Sequence, residues 1–194
     1  MSEVKTEKLS PRTASGTVTL GTSGDTFSIP SGVTLTNSGT ASGFGNVFDV
    51  YFQGQLASDQ TITRATDVKV TGMTSNEIDS HSAFDGTTFT VPSGKGGFYI
   101  IFVHTFFDFG AVGDDGMDAQ AMIFVNGSEV FKGTHSGTNS GPDTFNKTNI
   151  SLSLIKNLSA GDTVELYVEA DEYDTASNPR VNSRDTSLGG FRLS

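Results

Sequence analysis

The sequence predicts an all-β fold, a sandwich or a jelly roll, and three observations predict it. Short apolar runs recur roughly 8–15 residues apart, with Gly, Asn, Asp and Ser between them. The composition suits strands joined by tight turns: 15 Phe and 23 Gly stand against 5 Pro, with no Trp. The last alternation, Gly190-Phe191-Arg192-Leu193, stops one residue before the end of the chain. A strand in that position is expected inside a sheet rather than loose at its rim. No segment shows the 3.6-residue period of a convincing helix.

Residues 1–16 are polar and mixed in charge, with Lys5, Lys8 and Arg12 against Glu3 and Glu7. Their few apolar positions suit either a flexible terminus or an anchor arm that orders on a partner. As an anchor, the contacts expected are Val4, Leu9, Pro11 and Arg12. Residues 17–45 hold three short alternations, Val18/Leu20, Phe27/Ile29 and Val33/Leu35, separated by Gly, Ser, Asn and Asp clusters. Period-2 spacing predicts short strands. Six apolar residues cannot offset the entropy of ordering that much backbone. The segment is therefore expected to be either a linker or a β collar, buried against copies of itself or another protein.

Residues 46–194 form the head domain. Strands are expected at 47–52, weakly within 61–73, and at 88–91, 98–107, 119–125, 129–132, 149–154, 163–170 and 189–193. The run 98–107 is so apolar that burial on both faces is expected, with His104 inside it as a core or symmetry-axis residue. Asn126-Gly127 is the strongest hairpin dipeptide and should join two of these strands.

Charge and composition exclude several function classes. The net charge is −10, from 22 acidic and 12 basic residues; nucleic acid and anionic membrane surfaces both call for a basic face. With no cysteine, disulfides, thiol catalysis and cysteine–zinc sites are out. No apolar stretch is long enough to span a bilayer as a helix. The first residues do not read as a secretory signal, so synthesis and assembly in a cytoplasm are expected.

Catalytic chemistry has little support. His81, His104 and His135 lie in no nucleophile motif, and nothing resembles a Gly-x-Ser-x-Gly elbow. Asp114-Asp115-Gly116 resembles the start of a calcium loop, but the twelfth position is Val125 rather than Glu. A solvated turn or an irregular calcium site remains. Paired carboxylates in 171–174 raise glycoside hydrolysis, which the absence of Trp platforms disfavours. Tyr173 and Phe145, in polar loops, are candidate ligand contacts, with local packing as the alternative.

Several phrases of residues 47–194 together resemble the complement globular-head family. They are Phe89-Thr90-Val91-Pro92 followed by Gly97-Phe98-Tyr99, Ala121 to Phe131 around Asn126-Gly127, Leu154 to Leu166 around Gly161-Asp162, and Ser187 to Leu193. Gly189 and Arg192 depart from the family's closing strand, where Ser and an apolar residue are usual. The resemblance implies a jelly roll of the tumour-necrosis-factor type, packed as a homotrimer and used for recognition rather than catalysis. It also implies calcium at acidic loop residues, here Asp171 and Asp174; no other cofactor is expected. Leu9-Ser10-Pro11-Arg12, Gly21 to Gly32 and Thr36 to Gly45 resemble segments of marine bacteriophage appendage proteins.

Together the two resemblances imply a non-enzymatic virion structural protein: a head or tail fibre or decoration protein. It would be anchored on a capsid or tail protein and display a trimeric tip to a host-surface glycan or protein. In the trimer the collar residues Val18, Leu20, Phe27, Ile29, Val33 and Leu35, together with His104, would pack between copies. The rival expectations are a capsid-stabilising protein with no receptor role, a depolymerase at a fibre tip, and a secreted complement-like lectin.

Overall fold

The computed structural model describes residues 17–34, 36, 38, 49–110, 117–137, 146–172, 178–183 and 185–193. Contacts divide the chain into two compact units, Met1–Phe44 and Gly45–Ser194. Within the first unit the described residues form two turns, closed by Asp25 N–H to Thr22 O and Val33 N–H to Pro30 O. The described residues of this unit include no strand. Val18, Leu20, Phe27, Ile29 and Val33 are all exposed, Phe27 to 66%. So few apolar side chains cannot hold a sheet by themselves.

Among its described residues the second unit holds twelve strands and no helix. They are β1 (Tyr51–Leu56), β2 (Gln60–Thr61), β3 (Val68–Lys69), β4 (Met73–Asp79), β5 (Thr88–Thr90), β6 (Gly97–Asp108), β7 (Met117–Val125), β8 (Ser128–Gly137), β9 (Lys147–Leu158), β10 (Thr163–Glu172), β11 (Arg180–Val181) and β12 (Ser187–Arg192). The extra elements beyond the eight or nine expected are mainly two-residue pairings, too short to carry a period.

The first sheet runs β2-β11-β6-β12-β1-β4, with β9 on the free side of β6. The second runs β3-β10-β7-β8, with β5 also on β10. All pairings are antiparallel. The final strand β12 is inserted between β6 and β1, as the closing alternation predicts.

Between the sheets lies one core. Phe52 stacks on Phe89 with ring centroids 3.9 Å apart, and Phe84 and Tyr99 pack around that pair. Ile101, Val103, Ile123, Val164, Leu166, Val168 and Leu188 continue it. Burial of this much aliphatic and aromatic area supplies the stability that disulfides supply in other small sandwiches.

Turn chemistry sets the pairing of β7 with β8. Asn126 and Gly127 both have positive φ, 52° and 74°, the geometry of the hairpin turn that matches strand twist. Asn126 also ties two loops together. Its Nδ2 donates to Asp162 Oδ1 at 2.9 Å, and its Oδ1 accepts from Thr163 N–H at 2.9 Å. Asp162 in turn accepts from Ser159 N–H at 2.8 Å, closing the β9–β10 turn. The Gly161-Asp162 phrase is thus the turn that carries the chain from one sheet to the other and a clamp onto the β7–β8 hairpin.

Candidate interaction face

Strand β6 turns one of its two faces to the core of the single chain. Tyr99, Ile101, Val103, Thr105 and Phe107 are buried, but Ile100, Phe102, His104 and Phe106 are only partly covered and Phe98 is 51% exposed. The strand is buried on one face in the single chain, not on both. His104 belongs to the outer face and is not a core residue. An unbroken apolar run hides which side faces water, because both sets of alternating positions are apolar.

The pairing registers align this outer face in rows across four strands. Tyr51, Phe191, Ile100 and Ile155 stand opposite one another on β1, β12, β6 and β9. The next row is Gln53, Gly189, Phe102 and Ser153, and the one after is Gln55, Ser187, His104 and Ser151. Directly opposed residues share a face, with Cβ atoms close enough to touch. The face therefore grades from an apolar row, through one dominated by Phe102, to a polar row. At the apolar end Ile155 is 62% exposed and Tyr51 43%.

Gly189 lets this face form. A Cβ built there would lie 2.4 Å from the Phe102 ring and 3.1 Å from the Phe52 carbonyl oxygen. The ring of Phe102 therefore lies across the backbone of β12. The departure from the resembled family at this position has a packing cause.

Arg192 has a related explanation. It opposes Tyr99 at the end of the sheet, and its guanidinium reaches Asp49 at 3.4 Å, alongside Lys95 Nζ at 2.6 Å. The hydrogen bond from Lys95, with smaller help from Arg192, holds the Asp49 carboxyl below its usual range despite partial burial. Tyr99 donates its hydroxyl to the Lys95 carbonyl at 2.6 Å, and burial raises its phenol above the ordinary value. A charged residue in an apolar position thus closes the end of the sandwich through an ion-paired plug.

The opposite end carries a second buried acid. Burial pushes the Asp108 carboxyl up, but the hydrogen bonds from Arg180 and Gly110 N–H, with the charges of Arg180 and Lys147, outweigh it and the net shift is downward. Arg180 Nη2 is 2.9 Å away and Lys147 Nζ 3.9 Å. Both ends of the first sheet are thus charge-neutralised, and the face between them is apolar or uncharged.

The other sheet presents a different outer surface. Phe124 stacks on Tyr167 at 4.1 Å, and Lys69 bridges Glu165 at 2.6 Å. Glu169 is pushed up by burial and by the neighbouring Asp67, Asp171 and Asp118. Among the described residues no three acidic or histidine side chains are grouped to hold a metal.

The sequence-predicted site residues fall out unevenly. Asp171 pairs with Arg64 Nε at 3.2 Å; its proposed calcium partner Asp174 lies outside the described residues. So do the candidate contacts Tyr173 and Phe145, the anchor residues Val4, Leu9, Pro11 and Arg12, and the collar residue Leu35. His81 pairs with its neighbour Ser80 at 2.8 Å on the surface, and His135 is exposed on β8. The structure brings none of the described candidates into one cluster. Tyr51, Phe102, Ile155 and Phe191 were not picked out from the sequence. One signal existed: the outward positions of β9 read Asn149, Ser151, Ser153, Ile155 and Asn157, and a lone Ile breaks that polar series.

No protein-family model and no curated protein matches the chain. Among solved structures, the chain is similar to the globular domain of zebrafish complement 1qA protein. The identity is 15% and the TM-score 0.50, over 75% of this chain and 98% of that one. At that identity the likeness is one of fold: two antiparallel sheets in a jelly-roll sandwich.

Proposed function

We propose that this chain is a non-enzymatic structural protein of a virion, a head or tail fibre or decoration protein. Its jelly-roll heads associate as a trimer through the outer face of the first sheet. The observation that carries the assembly is the row Tyr51, Phe191, Ile100 and Ile155, continued by Phe98 and Phe102. A contiguous exposed apolar face of this kind marks a protein contact. Copies of the same chain are the favoured occupant because both units need cover. Val18, Leu20, Phe27, Ile29 and Val33 are also exposed, and cyclic assembly buries both sets at once. The virion setting rests on the resemblance of the N-terminal phrases to phage appendage segments. In that setting residues 1–16 dock on a capsid or tail protein, 17–45 form the collar, and the head meets a host-surface glycan or protein.

Light scattering coupled to size-exclusion chromatography tests the assembly. Wild type elutes at three times the chain mass. Ile155→Lys, an exposed position whose change leaves the core untouched, elutes as a folded monomer. A wild-type monomer at all concentrations overturns the trimer. Particles lacking the protein test its role. Loss of adsorption with intact capsids supports attachment, whereas fragile capsids that still adsorb support the capsid-stabilising alternative.

A further inference from the structure

We propose that His104 makes association through this sheet face sensitive to acid, so that heads assemble while the imidazole is neutral and separate when it takes up a proton. The proposal rests on the reading that the face packs against copies of this chain. His104 sits midway along β6, with Nδ1 2.8 Å from Ser151 Oγ. Ser187 stands opposite on β12, Gln55 completes the row on β1, and Phe102 and Phe106 flank the ring along its own strand.

The charged groups on the surrounding elements offer the ring no counter-ion within its row. Strand β1 carries none, and Arg192 on β12 is committed to Asp49 at the far end. Lys156 on β9 stands opposite the core residue Tyr99. Lys147 on β9 and Arg180 on β11 neutralise Asp108 at the last position of β6. Asp185 is exposed just ahead of β12, Asp59 is paired with Arg180, and Asp79, on β4 beyond β1, accepts from Ala83 and Phe84 N–H.

In the separated chain the partly exposed ring meets water, and an imidazolium is solvated there. In the assembly, water is displaced from the ring. Desolvation disfavours the imidazolium. An assembly that disfavours the imidazolium binds fewer protons than the separated chain, and histidines ordinarily change charge near about pH 6.5. By linkage, association weakens as pH falls, by up to about tenfold per pH unit for each chain, or about a thousandfold per unit for three.

Sedimentation velocity of the full chain from about pH 8 to about pH 5, with circular dichroism to confirm folding, tests this. The expected result is a trimer at the alkaline end that dissociates reversibly on acidification. His104→Gln, or His104→Asn should the first misfold, stays assembled throughout. His135→Gln, on the other sheet, follows wild type. A wild type that stays assembled at the acid end, or a His104 variant that still dissociates, overturns the switch and leaves the trimer standing. A wild type that is monomeric at the alkaline end overturns both.

Discussion

Phe102 packs so closely on Gly189 that a single added methyl group would stand 2.4 Å from the ring. This pairing fixes the middle row of the first sheet's outer face and makes one residue of the closing strand sterically obligatory. Gly189→Ala should cost about 1–3 kcal/mol by overpacking. Urea unfolding measures it. The double variant Gly189→Ala with Phe102→Ala should recover part of that loss, because the clash then has no ring to meet; strict additivity of the two single effects would contradict the contact.

The plug at the other end of β6 separates two contributions. Lys95 makes the short bond to Asp49, whereas Arg192 makes the long one and leaves its buried Nε without a partner. Lys95→Met should therefore destabilise by about 1 kcal/mol. Arg192→Met should change stability by less, since it also removes a poorly satisfied polar atom. Thermal melts of the two variants decide the order.

Asp108 and Asp49 both ionise more readily in the folded chain than ordinary carboxyls do. A depressed folded value means that their contribution is fully present above the ordinary carboxylate range near about 3.9 and is lost as pH falls through the folded value. Stability should therefore drop steeply in acid below that range. Asp108→Asn should flatten that part of the pH–stability curve. Arg180→Ala should lower the denaturation midpoint more than Lys147→Ala, because Arg180 is 2.9 Å from the buried oxygen and Lys147 is 3.9 Å away.

Asn126 does two jobs, forming the hairpin turn and bridging to Asp162 and Thr163. Asn126→Gly keeps the turn and loses the bridge; Asn126→Ala loses both. The alanine variant should be the less stable by about 1 kcal/mol, reflecting the positive φ. Hydrogen exchange at Thr163 N–H should quicken in both variants.

Much of the head was legible in the sequence because strand chemistry is local. The Asn126-Gly127 turn, the Gly161-Asp162 turn and the alternation of 163–170 each specify their own geometry within a few residues. The interior place of residues 189–193 was legible too, and the structure seats β12 between β6 and β1. The two-residue strands β2 and β11 were not, since so short a pairing has no period and exists only where a neighbouring strand offers an edge.

The sequence by itself determined that the chain is all-β, where the main turns fall, and that the 98–107 run is a strand. Only the tertiary structure decided which face of that strand is covered and placed His104 on the outer face. It also joined Tyr51, Phe191, Ile100 and Ile155, drawn from four separate strands, into one row. The reason is physical. Alternation along a strand defines two faces but not which one meets the other sheet, and a row across a sheet depends on registers set by pairing partners distant in the chain.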